Sequence, residues 1–302
     1  MNLTYFKLEY LSSSFTNMKS VIITGTSKGI GLETALAFAR AGYKVFATMR
    51  NPESATALRQ KIKAESLSIT ISAMDVDSDE SVKRCLDAIR KESGAIDVLV
   101  NNAGIEYHGS IEELDLKEFK SVMETNYFGV LRCIKGVLPQ MRKNRNGCII
   151  NISSVAGQIS GSPLGPYTAS KCALEAISEV LAGEVKPFNI RVGIVEPGII
   201  DTQMARDLKV GGDSIYPHSN RFGGLFAASL KTPVQASMVA DKILEIADSG
   251  TWQLRHPVGP DAKPFLDWRA SMNDEQWVDW NAANDDDWYK DVESTFGLNA
   301  RP

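Results

Sequence analysis

Short apolar runs alternate with amphipathic segments from residue 19 to about residue 195. The runs are rich in Val and Ile and nearly continuous in hydrophobicity, which is typical of strands buried on both faces of a parallel sheet. The predicted strands are VIITG (21–25), KVFAT (44–48), ITISAM (69–74), DVLVN (97–101), CIINIS (148–153) and IRVGIV (190–195). Apolar residues at helical spacing predict helices near 30–41, 53–64, 79–92, 116–142 and 166–186.

This alternation predicts an α/β protein, a doubly wound Rossmann fold whose parallel sheet has about seven strands with helices on both faces. Two helices begin with a capping pattern, Asp77 with Glu80 and Asp115 with Glu118. The pattern loosens after Pro197. A further helix at 234–248 and a seventh strand at 252–256 complete the prediction.

The chain has 302 residues, and we expect a single catalytic domain over residues 18–302. Within it, 203–232 is predicted to be a substrate loop, and 261–302 a tail of short helices rich in Trp, Asp and Asn. Residues 1–17 have neither the apolar core of a secretory signal nor an Arg. We expect them to form a disordered or frayed N-terminal extension.

Composition excludes several classes of function. The net charge is −4 without a basic stripe, which argues against nucleic-acid binding. No apolar run reaches the roughly 20 residues of a transmembrane segment. Four scattered cysteines without a CxxC pair predict free thiols in a reducing compartment, and hence a cytoplasmic protein. Three scattered histidines do not have the spacing of metal ligands, so no metal site is predicted.

A glycine-rich turn, TGTSKGIG at 24–31, follows the first strand and begins the first helix. Gly25 permits a tight turn, Gly29 allows a pyrophosphate to approach the backbone, and Gly31 allows close packing of helix on strand. The free N–H groups at the helix N-terminus favour phosphate. The turn therefore predicts a dinucleotide site, to which Ser27, Lys28 and Ile30 also contribute.

Tyr167 and Lys171 lie four residues apart, and residues at this spacing share one face of a helix. Lys171 is therefore expected to hold its ammonium near the Tyr167 hydroxyl, lower its pKa and make it a better acid and base near neutral pH. A pair of serines, Ser153 and Ser154, ends the fifth predicted strand upstream.

Together these features resemble the short-chain dehydrogenase/reductase family. The resemblance covers residues 19–202 and includes the glycine turn, NNAG at 101–104, Asn126, Ser154, YxxxK at 167–171 and PGxxxT at 197–202. It implies that Tyr167 exchanges a proton with the substrate oxygen, which Ser154 hydrogen-bonds. Ser154 is preferred to Ser153 because it lies at the family's spacing from Tyr167. Lys171 is implied to bind the nicotinamide ribose, and Asn126 to hold a water that links Lys171 to solvent.

The resemblance also implies further cofactor contacts. Asp75 and Val76 are placed against the adenine, and small residues of NNAG against the cofactor ribose. The PGxxxT loop is placed against the nicotinamide carboxamide. The residues concerned are Asn102, Ala103, Gly104, Pro197, Gly198, Ile200 and Thr202.

The end of the second strand predicts which nicotinamide cofactor binds. NAD enzymes usually have an acidic residue here that bonds the ribose 2′-hydroxyl, but this chain has Met49, followed by Arg50. Lys28 in the glycine turn adds a second cation at the same corner. Two cations suit a 2′-phosphate, so NADP(H) is expected.

The predicted function is oxidoreduction of a small apolar alcohol, ketone or aldehyde. The substrate pocket is expected to draw on Glu106, Tyr107 and His108, on 158–164 and on 203–230. The alternative is a non-catalytic NADP(H)-binding sensor or scaffold, although such relatives usually lose the Tyr or the Lys. An epimerase or dehydratase is less consistent with the glycine turn. The resemblance further implies a homodimer or homotetramer that pairs helices 116–142 and 166–186.

Overall fold

The computed structural model describes residues 18–208 and 214–301. The predicted N-terminal extension, and residues 209–213 of the predicted substrate loop, lie outside the described residues. Seven parallel strands form one sheet in the order β3-β2-β1-β4-β5-β6-β7. The strands are β1 (Ser20–Thr24), β2 (Lys44–Met49), β3 (Ile69–Ala73), β4 (Val98–Asn101), β5 (Gly147–Ile152), β6 (Ile190–Pro197) and β7 (Arg255–Val258).

Helices cover both faces of the sheet, which confirms the predicted α/β architecture. The six helices for which the sequence predicts a start begin within three residues of the predicted position. The helices are α1 (Gly29–Arg40), α2 (Thr56–Glu65), α3 (Asp79–Ser93), α4 (Leu116–Met123), α5 (Gly129–Asn144), α6 (Gly165–Val185), α7 (Gln203–Arg206), α8 (His218–Ser229), α9 (Ala236–Ser249), α10 (Ala262–Ala270), α11 (Asp274–Ala282) and α12 (Asp285–Phe296).

Alternate residues of each central strand enter opposite cores, because side chains alternate across a sheet. On β1, Val21 and Ile23 pack with residues of α1 and α9, whereas Ile22 packs on the other face with residues of α3, α5 and α6. Both sets are fully buried. This two-sided burial is why the strands read as nearly continuous apolar runs in the sequence.

Two local predictions differ from the structure. Ser78, not Asp77, caps α3, since its hydroxyl accepts a 3.2 Å hydrogen bond from the Ser81 amide. The Asp77 carboxylate accepts instead from the hydroxyl of Thr125. The predicted helix 116–142 is also interrupted, because Glu124–Phe128 forms a π-helical segment between α4 and α5. The predicted capping box of Asp115 and Glu118 is present.

The strand order reverses between β1 and β4, so a crevice opens at the carboxyl ends of these strands. The glycine turn follows β1, NNAG begins at the end of β4, and the serine pair follows β5. The PGxxxT loop begins at the last residue of β6. The topology therefore brings the four predicted site segments to one edge of the sheet.

Candidate active site

The glycine turn has the backbone conformation that its composition predicts. Gly25 and Gly29 adopt positive φ angles of 71° and 59°, which side chains of L-residues rarely allow. A Cβ on Gly31 would lie 2.4 Å from both the Gly25 carbonyl oxygen and Asn102 Nδ2. No side chain caps the N-terminus of α1. The turn therefore leaves a cradle of backbone amides that fits a dinucleotide pyrophosphate.

Hydrogen bonds fix the NNAG segment to this turn. The hydroxyl of Thr24 accepts from the amides of Asn102 and Ala103, both at 2.9 Å. The Asn102 side chain donates to the carbonyls of Thr24 and Gly25 at 2.9 and 3.0 Å. The sequence predicts Asn102 as a cofactor contact, and in the structure its side-chain amide holds the glycine turn in place. Thr24 is not among the predicted site residues, although a Thr between a strand end and a glycine could have indicated this bracing role.

Lys28 and Arg50 line the same end of the crevice, and both are exposed. Neither forms a salt bridge with a carboxylate among the described residues. Met49, at the end of β2, is buried and offers no carboxylate to a ribose. This corner therefore has two cations without a salt bridge where the cofactor's 2′ position is expected, although Arg50 lies near enough to Asp77 to act on the pKa of that carboxyl.

Asp75 and Val76 line the crevice beside β3. Asp75 accepts a 3.2 Å hydrogen bond from the Asp77 amide, which orients its carboxylate across a short turn. Val76 is buried, and a Cβ on Gly129 would lie 2.9 Å from its Cγ2. The pair thus presents one carboxylate beside an apolar surface. The carboxylate can accept a hydrogen bond from an amino group, and the apolar surface can pack on a flat ring.

Ser154, Tyr167 and Lys171 converge on the middle of the crevice. The Lys171 ammonium lies 5.5 Å from the centroid of the Tyr167 ring and donates a 2.8 Å hydrogen bond to the Ile152 carbonyl. The Ser154 hydroxyl lies close enough to the Tyr167 phenol to lower the pKa of that phenol. It also accepts from the Ala156 amide at 3.2 Å and so caps a short 3₁₀ turn.

The electrostatics of this group differ from the expectation of a lowered tyrosine pKa. Burial raises the pKa of Tyr167 well above its usual value, the Glu106 carboxylate raises it further, and Ser154 lowers it. Burial lowers the pKa of Lys171 to about 8, against the opposing carboxylates of Glu175 and Glu106. Desolvation is the largest cause for both groups, and the Lys171 ammonium is held by a backbone carbonyl rather than by the phenol.

Asn126 lies in the π-helical segment and is 1% exposed. Its oxygen accepts from the Ile105 amide, and its nitrogen donates to the Ile105 carbonyl and to Ser170, all at 2.9 Å. Asn126 thus connects the NNAG segment to α6, one residue before Lys171. Single π-helical turns often occur at functional sites, and this one explains how a weak helix former sits in mid-helix.

The PGxxxT loop lies against the glycine turn. A Cβ on Gly29 would be 3.6 Å from Thr202 Cγ2, while the Thr202 hydroxyl accepts from the Ala205 amide at 3.3 Å and caps α7. A Cβ on Gly198 would meet the Asp261 carboxylate at 2.1 Å, so that carboxylate would have to shift. The loop residues Pro197, Gly198, Ile200 and Thr202 all line the crevice.

A family model described as short chain dehydrogenase matches residues 19–211. The match covers the whole sheet except β7. The chain belongs to the short-chain dehydrogenase family. Family membership makes it an oxidoreductase of the NAD(P)-using type, and the resemblance seen in the sequence is confirmed.

Relatives of this family match over different lengths. An uncharacterized oxidoreductase, YusZ of Bacillus subtilis, is 36% identical over 88% of this chain and 97% of its own length. Retinol dehydrogenase 8 of Bos taurus is 42% identical, but over 61% of this chain and 60% of its own length. A short-chain dehydrogenase from Streptomyces avermitilis has a TM-score of 0.75 at 32% identity, covering 88% of this chain and 97% of that structure.

The crevice of this family member opens into a wider cavity, and the whole space measures about 1000 Å³. Tyr107, His108 and residues within 203–208 and 214–230 line it as predicted. Gln158 does not line the cavity but hydrogen-bonds Glu196. The C-terminal tail supplies most of one wall, which the sequence did not predict. Its residues are Phe265, Trp268, Trp277, Trp280, Asn281, Trp288, Val292 and Phe296.

The described part of the chain has neither a helix that could span a membrane nor a cluster of metal ligands. Its helices include none that combines the length and the apolar character needed to cross a membrane. Residues 18–208 and 214–301 also contain no group of three His, Cys, Asp or Glu side chains arranged to hold a metal ion. All four cysteines are free thiols.

Proposed function

We propose that the protein is an NADP(H)-dependent oxidoreductase that interconverts an apolar alcohol with its ketone or aldehyde, with Tyr167 as acid and base. One observation carries this proposal. Ser154, Tyr167 and Lys171 line the same cavity as the glycine turn, which lies at its other end. A carbonyl bound between them can therefore receive a proton on its oxygen while its carbon faces the cofactor site.

The chain's residues have separate tasks in reduction. Ser154 hydrogen-bonds the substrate oxygen and fixes it near the phenol. Tyr167 donates its proton to that oxygen as charge develops there. Lys171, held by the Ile152 carbonyl, supplies positive charge that favours the resulting phenolate. The nicotinamide cofactor supplies the hydride that reaches the carbonyl carbon. Oxidation uses the same contacts with the proton moving to Tyr167.

Preference for NADP(H) is supported by the two cations, Lys28 and Arg50, and by the lack of a carboxylate at Met49. A phosphate monoester carries about two negative charges near neutral pH, so each contact would be charge-assisted. An acidic residue at position 49 or 50 would have favoured NAD(H) instead.

An apolar substrate is supported by the walls of the cavity. The α8 segment contributes Phe222, Leu225 and Phe226, and the tail contributes aromatic rings that contact one another. Trp277 and Trp280 stack with their planes 10° apart. A phosphorylated or highly hydroxylated substrate would lose hydration against such walls. The similarity to a relative named retinol dehydrogenase is consistent with an apolar alcohol.

Assembly as a homodimer or homotetramer is supported by exposed apolar side chains on the two helices that the family pairs. Leu116 is 66% exposed on α4, and Val180 is 54% exposed on α6. Light scattering on the purified protein tests this assembly: a monomeric mass at micromolar concentration would contradict it. The cytoplasmic location remains a prediction from cysteine usage.

Consumption of NADPH with a panel of aromatic, aliphatic, steroid and retinoid carbonyls tests the proposed function. We expect turnover on at least one apolar carbonyl and its loss, by a factor of at least about 100, in Tyr167→Phe. Binding of NADPH without turnover on any carbonyl would favour the alternative, a non-catalytic sensor or scaffold. Near-normal turnover of Tyr167→Phe would exclude its role as acid and base.

A further inference from the structure

Glu106 is a partly buried carboxyl at the reaction end of the cavity, and the proposed chemistry does not use it. It lies two residues beyond NNAG and lines the cavity with Ser154 and Tyr167. Its Oε1 is enclosed and has no hydrogen-bond partner. Among residues 18–208 and 214–301, Glu106 takes part in no salt bridge and no side-chain hydrogen bond.

The charge of Glu106 acts on the two residues at the centre of the site. It raises the pKa of Tyr167 and that of Lys171. Burial raises the pKa of Glu106 itself to about 7, and the Lys171 ammonium opposes that shift. The carboxyl therefore lies near the reacting atoms and carries a full or partial charge above neutral pH.

A carboxyl that served only to hold its loop would be hydrogen-bonded, as buried polar groups generally are. The loop is already fixed by other contacts, since Asn126 bonds both the amide and the carbonyl of Ile105. Donors such as His108 also line the cavity, but none among the described residues forms a hydrogen bond with Glu106 Oε1. The partner missing from Glu106 is thus most simply supplied by the molecule that fills the cavity.

We propose that Glu106 accepts a hydrogen bond from a hydroxyl group of the substrate close to the reacting carbon. The preferred substrates are then apolar hydroxyketones and the corresponding diols. The hydrocarbon or aromatic part of such a substrate would pack against the tail. This inference rests on the proposed function and narrows its substrate class.

The partner is a hydroxyl rather than an ammonium for an electrostatic reason. The Lys171 ammonium already lies within range of Glu106, and a second cation between them would be repelled by it. A hydroxyl donates to the carboxylate without adding charge. It also satisfies the buried oxygen, which removes the cost of an unpaired acceptor.

The test uses two ketones that differ by one hydroxyl, benzoin and 1,2-diphenylethanone, with NADPH as reductant. The ratio of their kcat/KM values is measured for the parent, for Glu106→Met and for Glu106→Gln. Met is close to Glu in size but is only a weak hydrogen-bond acceptor, whereas the Gln amide oxygen accepts a hydrogen bond without carrying a charge. Glu184→Met, at an exposed position on α6, is the matched control.

We expect the parent and the control to favour benzoin by roughly 10- to 100-fold, the range for a hydrogen bond to a charged group. The ratio should fall towards one in Glu106→Met and to an intermediate value in Glu106→Gln. A purely structural role for Glu106 would lower both kcat/KM values and leave their ratio unchanged, which would overturn the inference.

The two proposals fail in different ways. Equal kcat/KM values for both ketones in the parent overturn the inference and leave the proposed function standing. Reduction of neither ketone, while other apolar carbonyls of the panel are reduced, also overturns the inference alone. Reduction of no carbonyl by a protein that binds NADPH overturns both.

Discussion

The hydroxyl of Ser153 donates a 2.7 Å hydrogen bond to Glu175 Oε1, and both residues are buried. The other oxygen of Glu175 accepts from Arg255 Nε at 3.1 Å. A Cβ on Gly157 would lie 2.3 Å from Glu175 Oε1, so the glycine makes room for the carboxylate. Glu175 therefore links the residue beside Ser154 to α6 and to β7.

Replacing Glu175 with Leu should destabilise the fold. The change leaves a buried hydroxyl without its acceptor and removes one carboxylate from Arg255, which we expect to cost about 2–4 kcal/mol. Glu175→Gln should cost less, because its amide oxygen still accepts from Ser153. Urea unfolding of the three proteins measures the free energies.

Glu179→Gln is the matched control, because Glu179 also pairs with Arg255, at 2.6 Å, but is 51% exposed. Exposed ion pairs contribute little, so this variant should lose less than about 1 kcal/mol. Equal losses at positions 175 and 179 would contradict the assigned importance of the buried bond to Ser153.

Cofactor selectivity should depend on Arg50. We expect the parent to bind NADPH more tightly than NADH, and Arg50→Asp to reduce that ratio of affinities by roughly 10- to 100-fold, since a charge-assisted contact is replaced by repulsion. Fluorescence titration of both cofactors gives the ratio. Arg59→Asp, an exposed change on α2, controls for added negative charge. Equal affinities of the parent for the two cofactors would contradict the preference for NADP(H).

The sheet could be predicted from sequence because its strands are buried on both faces, a condition that leaves an unbroken apolar pattern. The glycine turn could be predicted because Gly25 and Gly29 need backbone angles that few other residues allow. Both signals are local. The site residues at strand ends were predicted by combining these local signals with the resemblance to a family.

Features that depend on distant contacts could not be predicted. Glu175 and Arg255 are 80 residues apart in the sequence. Nothing in the sequence around either residue indicates that the two form a buried pair. To predict that the tail forms a wall of the cavity, one would have to know how its three short helices pack on α8. The raised pKa of Tyr167 depends on burial, whereas the sequence showed only the nearby lysine.

Stability should respond to pH through Glu106. Its pKa in the folded protein, about 7, lies above its ordinary value of 4.5. Between these values the folded state binds more protons than the unfolded state, so this carboxyl makes the parent lose stability as pH rises. The Glu106→Gln variant has no ionisable group at this position and therefore does not lose stability in this way.

The free-energy advantage of Glu106→Gln over the parent should therefore grow between pH 5 and pH 8, by on the order of 1–3 kcal/mol. Urea unfolding without cofactor at several pH values measures it. Glu184→Gln should follow the parent at every pH. Parallel pH profiles for Glu106→Gln and the parent would show that the carboxyl ionises as easily folded as unfolded.

The tail should be held in place by Arg221, which is 3% exposed on α8. Its guanidinium donates to the Asp285 carboxylate at 2.8 Å and to the Ala283 carbonyl at 2.7 Å, and lies 5.6 Å from the centroid of the Trp288 ring. Arg221→Met would leave these acceptors unpaired while keeping much of the apolar stem. We expect the tail to loosen from the cavity before the sheet unfolds.

Tryptophan fluorescence reports this loosening, because four of the five tryptophans lie in the tail. Arg221→Met should shift the emission to longer wavelength, speed proteolysis within residues 261–301 and raise KM for apolar carbonyls. Lys263→Met removes an exposed pair with Asp267 on α10 and should change none of these. An unchanged emission spectrum and KM in Arg221→Met would mean that the aromatic contacts hold the tail without the guanidinium.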